Sequence, residues 1–117
     1  LTSPHLEGEK IAAWQARYQQ RWGMAPSDYS VTAYDAALVI LDAVRRVAVL
    51  GEPIDRHAVR NAIQATNLDT PQGNIQFDAN GDILDHTISI FQVKRDPAYP
   101  LGDAVHQFKY IASAPQG

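Results

Sequence analysis

At 117 residues the chain has enough length for one packed unit and too little for two ordinary domains. Apolar residues make up 45% and charged residues 20%, a balance that excludes a disordered tail. The net charge of −3, with Lys and Arg scattered among acids, excludes an electrostatic footprint for nucleic acid; the lack of cysteine excludes disulfides, thiolate nucleophiles and Cys-based zinc sites and leaves the compartment open.

The opening residues, Leu1-Thr2-Ser3-Pro4-His5, carry neither a basic segment nor an apolar core of an export signal, as expected equally of a mature or an excised chain. From about residue 6 to 22, Ile11, Trp14, Tyr18 and Trp22 recur within about 80° of helical arc, which predicts an amphipathic helix stopped by Gly23. Met24-Ala25-Pro26-Ser27-Asp28 reads as a short loop that leads into a new N-cap.

A second helix is predicted over 30–50. Its charges, Asp35, Asp42, Arg45 and Arg46, share about 100° of arc while nearly everything else is apolar, so the helix is expected to be buried on several sides with one solvated polar stripe. Four charges, each costing roughly 2.5 to 3.5 kcal/mol at mid-membrane, exclude a transmembrane reading. Gly51-Glu52-Pro53 ends the helix, and Asp55 is the predicted N-cap of a third helix over 55–66, with Val59, Ala62, Ile63 and Thr66 on one face.

After a Thr70-Pro71-Gln72-Gly73 loop the period changes to two. Strands are predicted over 74–78 and 87–93, joined through the Asn80-Gly81 turn and paired antiparallel. Beyond Lys94, the Pro97, Pro100 and Gly102 positions mark a loop, and Val105 to Ile111 forms a last strand or an extended arm. No internal repeat or low-complexity run is present.

Little of this is equipment for covalent chemistry. His5, His57, His86 and His106 are dispersed without metal-ligand spacing, no Gly-x-Ser-x-Gly is present, and no glycine cluster could cradle a phosphate. No cofactor, metal site or catalytic residue is therefore assigned. Asp78-x-Asn80-x-Asp82 looks like the start of a calcium loop, but Ile83 and Ser89 stand where glycine and a bidentate Glu are needed, so the acids are read as turn residues. The Trp14, Tyr18, Trp22 series has the spacing of a packed stripe. Tyr29 lies off either helix's repeat; it is a ligand contact or a staple onto the first turn of the second helix.

The run Pro26-Ser27-Asp28-Tyr29-Ser30-Val31-Thr32-Ala33-Tyr34-Asp35-Ala36-Ala37 resembles the type I periplasmic binding proteins for leucine, isoleucine and valine. Asp55 to Ile63 resembles that family's next helix, and Gly73-Asn74-Ile75-Gln76-Phe77-Asp78-Ala79-Asn80-Gly81-Asp82 its glycine, strand and turn. With Tyr18 to Gly23 the resemblance covers about residues 6–93; the stretch after Lys94 departs from the pattern. It implies an α/β fold in which the chain is the C-terminal portion of a two-lobed protein, three helices followed by an antiparallel β hairpin and an extended tail.

By the same resemblance the function is non-covalent capture of a small amino acid or related metabolite between the lobes. The protein would work outside the cytoplasm, in the periplasm, with an ABC transporter permease as partner. Tyr29, with Ser30 beside it, takes the place of the aromatic that borders the cleft. A sensor of the same fold, reporting an amide or amino acid to a regulator or receptor, is the alternative. The isolated piece is expected to self-associate through apolar surface meant for the rest of the lobe.

Overall fold

The computed structural model describes residues 5–27 and 29–114, without the side chains of residues 104 and 105. Asp28 of the predicted capping loop and the first four residues lie outside the described residues. Three helices come first, α1 (Glu9–Trp22), α2 (Ser30–Val49) and α3 (Arg56–Gln64). Strands β1 (Asn67–Thr70), β2 (Gly73–Gln76) and β3 (Ile88–Val93) follow, then a short α4 (Ala104–Gln107) and β4 (Phe108–Ala114). The elements form two compact units, residues 6–85, and residue 86 onward together with His5. Among the described residues no helix is long and apolar enough to cross a membrane.

The first unit is built on the two long helices. α1 starts at Glu9 and ends where Gly23, at φ 70°, turns its N–H back to the Gln19 carbonyl at 2.9 Å. That left-handed cap strains any residue with a Cβ. Its inward row packs Ile11 and Trp14 against Val31 of α2, with Leu6 and Tyr18 at the edge. Trp14 also meets Tyr34, ring centroids 5.6 Å apart. Trp22 leaves the stripe and stands 63% exposed, with Arg21 over its ring.

α2 buries Val31, Asp35, Val39, Ala43 and Val47, a row with four-residue steps. Of the expected solvated stripe, Arg45 is exposed, and the other three members are not. Asp35 is buried, and Arg46 reaches across to α3, donating to the Ala62 carbonyl at 2.7 Å and holding Asp42 at 2.7 Å. The Ala62 carbonyl belongs to the last turn of α3, where carbonyls lack helical partners, so a guanidinium is well placed there. Meanwhile Ile40, Leu41, Val49 and Leu50 are exposed, so the outer side of α2 is largely apolar.

The Asp42 carboxyl is held below the usual carboxylate range, chiefly by its hydrogen bond from Arg46 and then by that from Arg45. A folded carboxyl that binds its proton less readily than the unfolded one stabilises the protein while ionised. Its contribution is complete above the unfolded pKa of about 4 and is lost as pH falls through the lower folded value. Asp42→Asn is therefore expected to flatten the fall in melting temperature below about pH 4, as read by circular dichroism across a pH series.

α3 begins as the sequence predicts, with the Asp55 carboxylate accepting from the Ala58 N–H at 2.9 Å. Asp55→Ala should cost about 1 kcal/mol in urea unfolding. Val59, Ala62 and Ile63 are half-buried and Thr66 is buried.

The strand pairing differs from the expectation that 74–78 pairs with 87–93. β2 pairs antiparallel with β1, Thr70 opposite Gly73, across a two-residue connection. The nearer partner closes a far smaller loop, in which the Thr70 hydroxyl lies 2.9 Å from the Gly73 carbonyl. Asp78 to Asp82 is a turn, as read: one Asp78 carboxylate oxygen accepts from the N–H groups of Asn80 and Asp82, and Gly81 takes φ 89°.

In the second unit β3 pairs antiparallel with β4, with a bulge between Ile90 and Phe91. The tail is thus a strand, reached through a loop that Gln107 secures. Its buried amide donates to the carbonyls of Asp96, Tyr99 and Pro100 and accepts from the Asp96 N–H.

Candidate functional site

The sequence-predicted residues lie at the N-terminal end of α2. Tyr29 is the N-cap, φ −97° and ψ 0°, and its carbonyl accepts from the Ala33 N–H at 3.0 Å and the Thr32 hydroxyl at 2.9 Å. Its main chain thus starts the helix, while the side chain gives no cap hydrogen bond. The residue is 53% exposed. Ser30 donates its N–H to the Ser27 carbonyl at 3.0 Å, and the two serine hydroxyls are 2.9 Å apart.

The structure puts these two neighbours in different settings. Ser30 lines a cavity of about 520 Å³ between α1 and α2, walled by Trp14, Tyr18, Trp22 and Tyr34 with Arg17 and Arg21 at its edge. Tyr29 is not part of that wall. Three hydroxyls, the exposed phenol and the positive end of a 20-residue helix dipole gather here. Such groups suit the binding of a small carboxylate-bearing ligand and offer no paired nucleophile and base.

Sequence reasoning missed Asp35, the most unusual polar group of this unit. It lies 2% exposed, and its Oδ2 accepts from the Thr70 hydroxyl at 2.7 Å, the Gln72 side-chain amide at 2.8 Å and the Gln72 N–H at 3.1 Å. Its Oδ1 is buried with no partner among the described residues. The carboxylate locks the β1–β2 connection onto α2 one turn below Val31, and so fixes the helix that carries the site. Asp35 is the one polar member of the buried row Val31, Val39, Ala43, Val47, but its helical angle is shared with Asp42 and Arg46, which hid it in the sequence.

No histidine joins the site. His5 stacks on Tyr110, and His106 stacks on Tyr99 while its Nδ1 lies 2.8 Å from the Asp103 carboxylate. Among the described residues no three His, Asp or Glu side chains converge as a metal site.

Solved structures that share this fold include two for comparison. One is a leucine binding protein, LivK, from Thermotoga maritima, with TM-score 0.63 and 23% identity, matched over 92% of this chain and 27% of its own. The other is an ABC transporter substrate-binding protein from Desulfitobacterium hafniense in complex with Leu, with TM-score 0.63 and 16% identity, matched over 94% of this chain and 29% of its own. The chain therefore spans less than a third of the length of these relatives. No curated protein matches. The family model described as "Periplasmic binding protein" matches residues 2–98, most of the chain, and with the mixed α/β architecture it shows that this chain belongs to the periplasmic binding protein family.

Proposed function

We infer that the chain is the C-terminal part of the substrate-binding component of an ABC importer for branched-chain or related amino acids. It captures its ligand non-covalently between two lobes outside the cytoplasm and hands it to a membrane permease. The observation that carries this reading is the family match over residues 2–98; the leucine named for both solved relatives supports the ligand class. The exposed apolar side of α2 fits a helix whose remaining cover comes from the rest of a lobe, since the chain corresponds to 27% and 29% of those relatives. Tyr29 and Ser30 border the cleft in this reading, with the phenol ring against the ligand and the helix end favouring its carboxylate.

Isothermal titration of the full-length protein with a panel of amino acids, amides and small carboxylates tests it. Saturable binding of leucine, isoleucine or valine is expected, and the absence of heat with every member of the panel would refute it. For the site, Tyr29→Ala should weaken the best ligand at least about tenfold. Unchanged affinity would return Tyr29 to a purely structural place.

A further inference from the structure

The second unit carries a feature that amino acid capture does not use. From His86 onward the sequence has three cations, Lys94, Arg95 and Lys109, and all three line one cavity of about 580 Å³. The strand ladder explains why. Lys109 stands opposite Gln92, and the Lys94 N–H donates to the Gln107 carbonyl at 2.9 Å, which extends the pairing by one residue. Opposite residues of an antiparallel pair share a face, so Lys94 and Lys109 form a diagonal pair on one side of the ribbon. Arg95 follows where the chain leaves the ladder.

The Gln107 amide holds the loop through Asp96, Tyr99 and Pro100, and Asp96 and Pro97 of that loop line the cavity. Like charges on neighbouring strands repel unless something answers them. One acid, Asp96, also lines the cavity, its Oδ1 accepting from the Ala98 N–H at 3.0 Å, so three cations there face a single carboxylate; Asp103 faces His106. Among the described residues none of the three cations has an ion-pair partner. Pro97, Tyr110 and Ile111 supply apolar wall between the charges.

We propose that this cavity binds a small polyanion bearing phosphate or carboxylate groups, held by Lys94, Arg95 and Lys109. The family match ends at residue 98, so Lys109 and the strand that completes the cavity lie beyond it. The proposal is independent of the amino acid reading, because it concerns a different unit and a different ligand charge.

Calorimetric titration of the full-length protein with inorganic pyrophosphate and with citrate tests it, beside co-sedimentation with phosphatidylglycerol vesicles. Saturable binding of either free anion, weakened at least about tenfold in the triple variant Lys94→Gln, Arg95→Gln, Lys109→Gln, is the expected result. The same three substitutions remove exposed side chains, so the fold is retained, and Arg56→Gln with Arg60→Gln should leave binding unchanged. Vesicle binding that depends on the same three residues, without free-anion binding, would identify a lipid phosphate as the source of the shared chemistry. No saturation with any of the three probes, or affinity unaltered by the triple variant, would overturn the proposal.

Discussion

Asp35→Ala is expected to remove about 3 kcal/mol of stability, because it deletes a buried acceptor and leaves the Thr70 hydroxyl, the Gln72 N–H and the Gln72 side-chain amide without it. Urea unfolding should show the loss as a lower midpoint with little change in slope. Asp35→Asn keeps one carbonyl oxygen and should lose less. A double-mutant cycle with Thr70→Val should give a coupling of about 1 to 2 kcal/mol, since a hydrogen bond to a charged group exceeds a neutral one. A loss under about 0.5 kcal/mol for Asp35→Ala would mean that the side chain is solvated after all.

Trp14→Ala should be at least as damaging, at about 3 to 5 kcal/mol. The indole is 5% exposed and touches both ends of the α1–α2 contact: Ile11 and Val31 in the core, and the rings of Tyr18 and Tyr34. Its removal enlarges the cavity that Ser30 lines, of which Trp14 is a wall. Trp14→Phe, which keeps a ring at the site, should recover a large part of the loss. Trp22→Ala, by contrast, alters an exposed side chain and should cost under about 1 kcal/mol, so the pair separates the packed half of the aromatic stripe from its exposed end.

The helices were legible because each buries one row of side chains, and rows of period 3.6 survive in a linear sequence. Gly23, Asp55 and the Asn80-Gly81 turn could be read because each answers a local backbone demand. Asp35 was not legible as buried. Angular position places it with Asp42 and Arg46, yet seven residues separate it from Asp42, about 10 Å along the axis, where the neighbours differ. There it meets donors of the β1–β2 connection instead of solvent.

Strand partners failed for a related reason. Alternation in 74–78 and 87–93 marks two strands without saying which others they join. Asn67–Thr70 holds a single large apolar residue, Leu68, and gave no pattern. The last strand was read as a strand or an extended arm from Val105 to Ile111; it runs Phe108–Ala114, and the loop before it is held by Gln107, whose amide bonds span 11 residues of sequence. At the candidate site, local sequence showed that Tyr29 stands apart from the helical repeats. That Ser30 turns into the α1–α2 cavity while Tyr29 stays outside it needed three dimensions.

Amide hydrogen exchange of the full-length protein, with and without saturating leucine, tests most directly whether an amino acid is captured at this end of α2. Slowed exchange concentrated at Tyr29 to Val31, with α3 little changed, is the result predicted. Exchange that stays the same through the first turn of α2 while leucine is bound would contradict it.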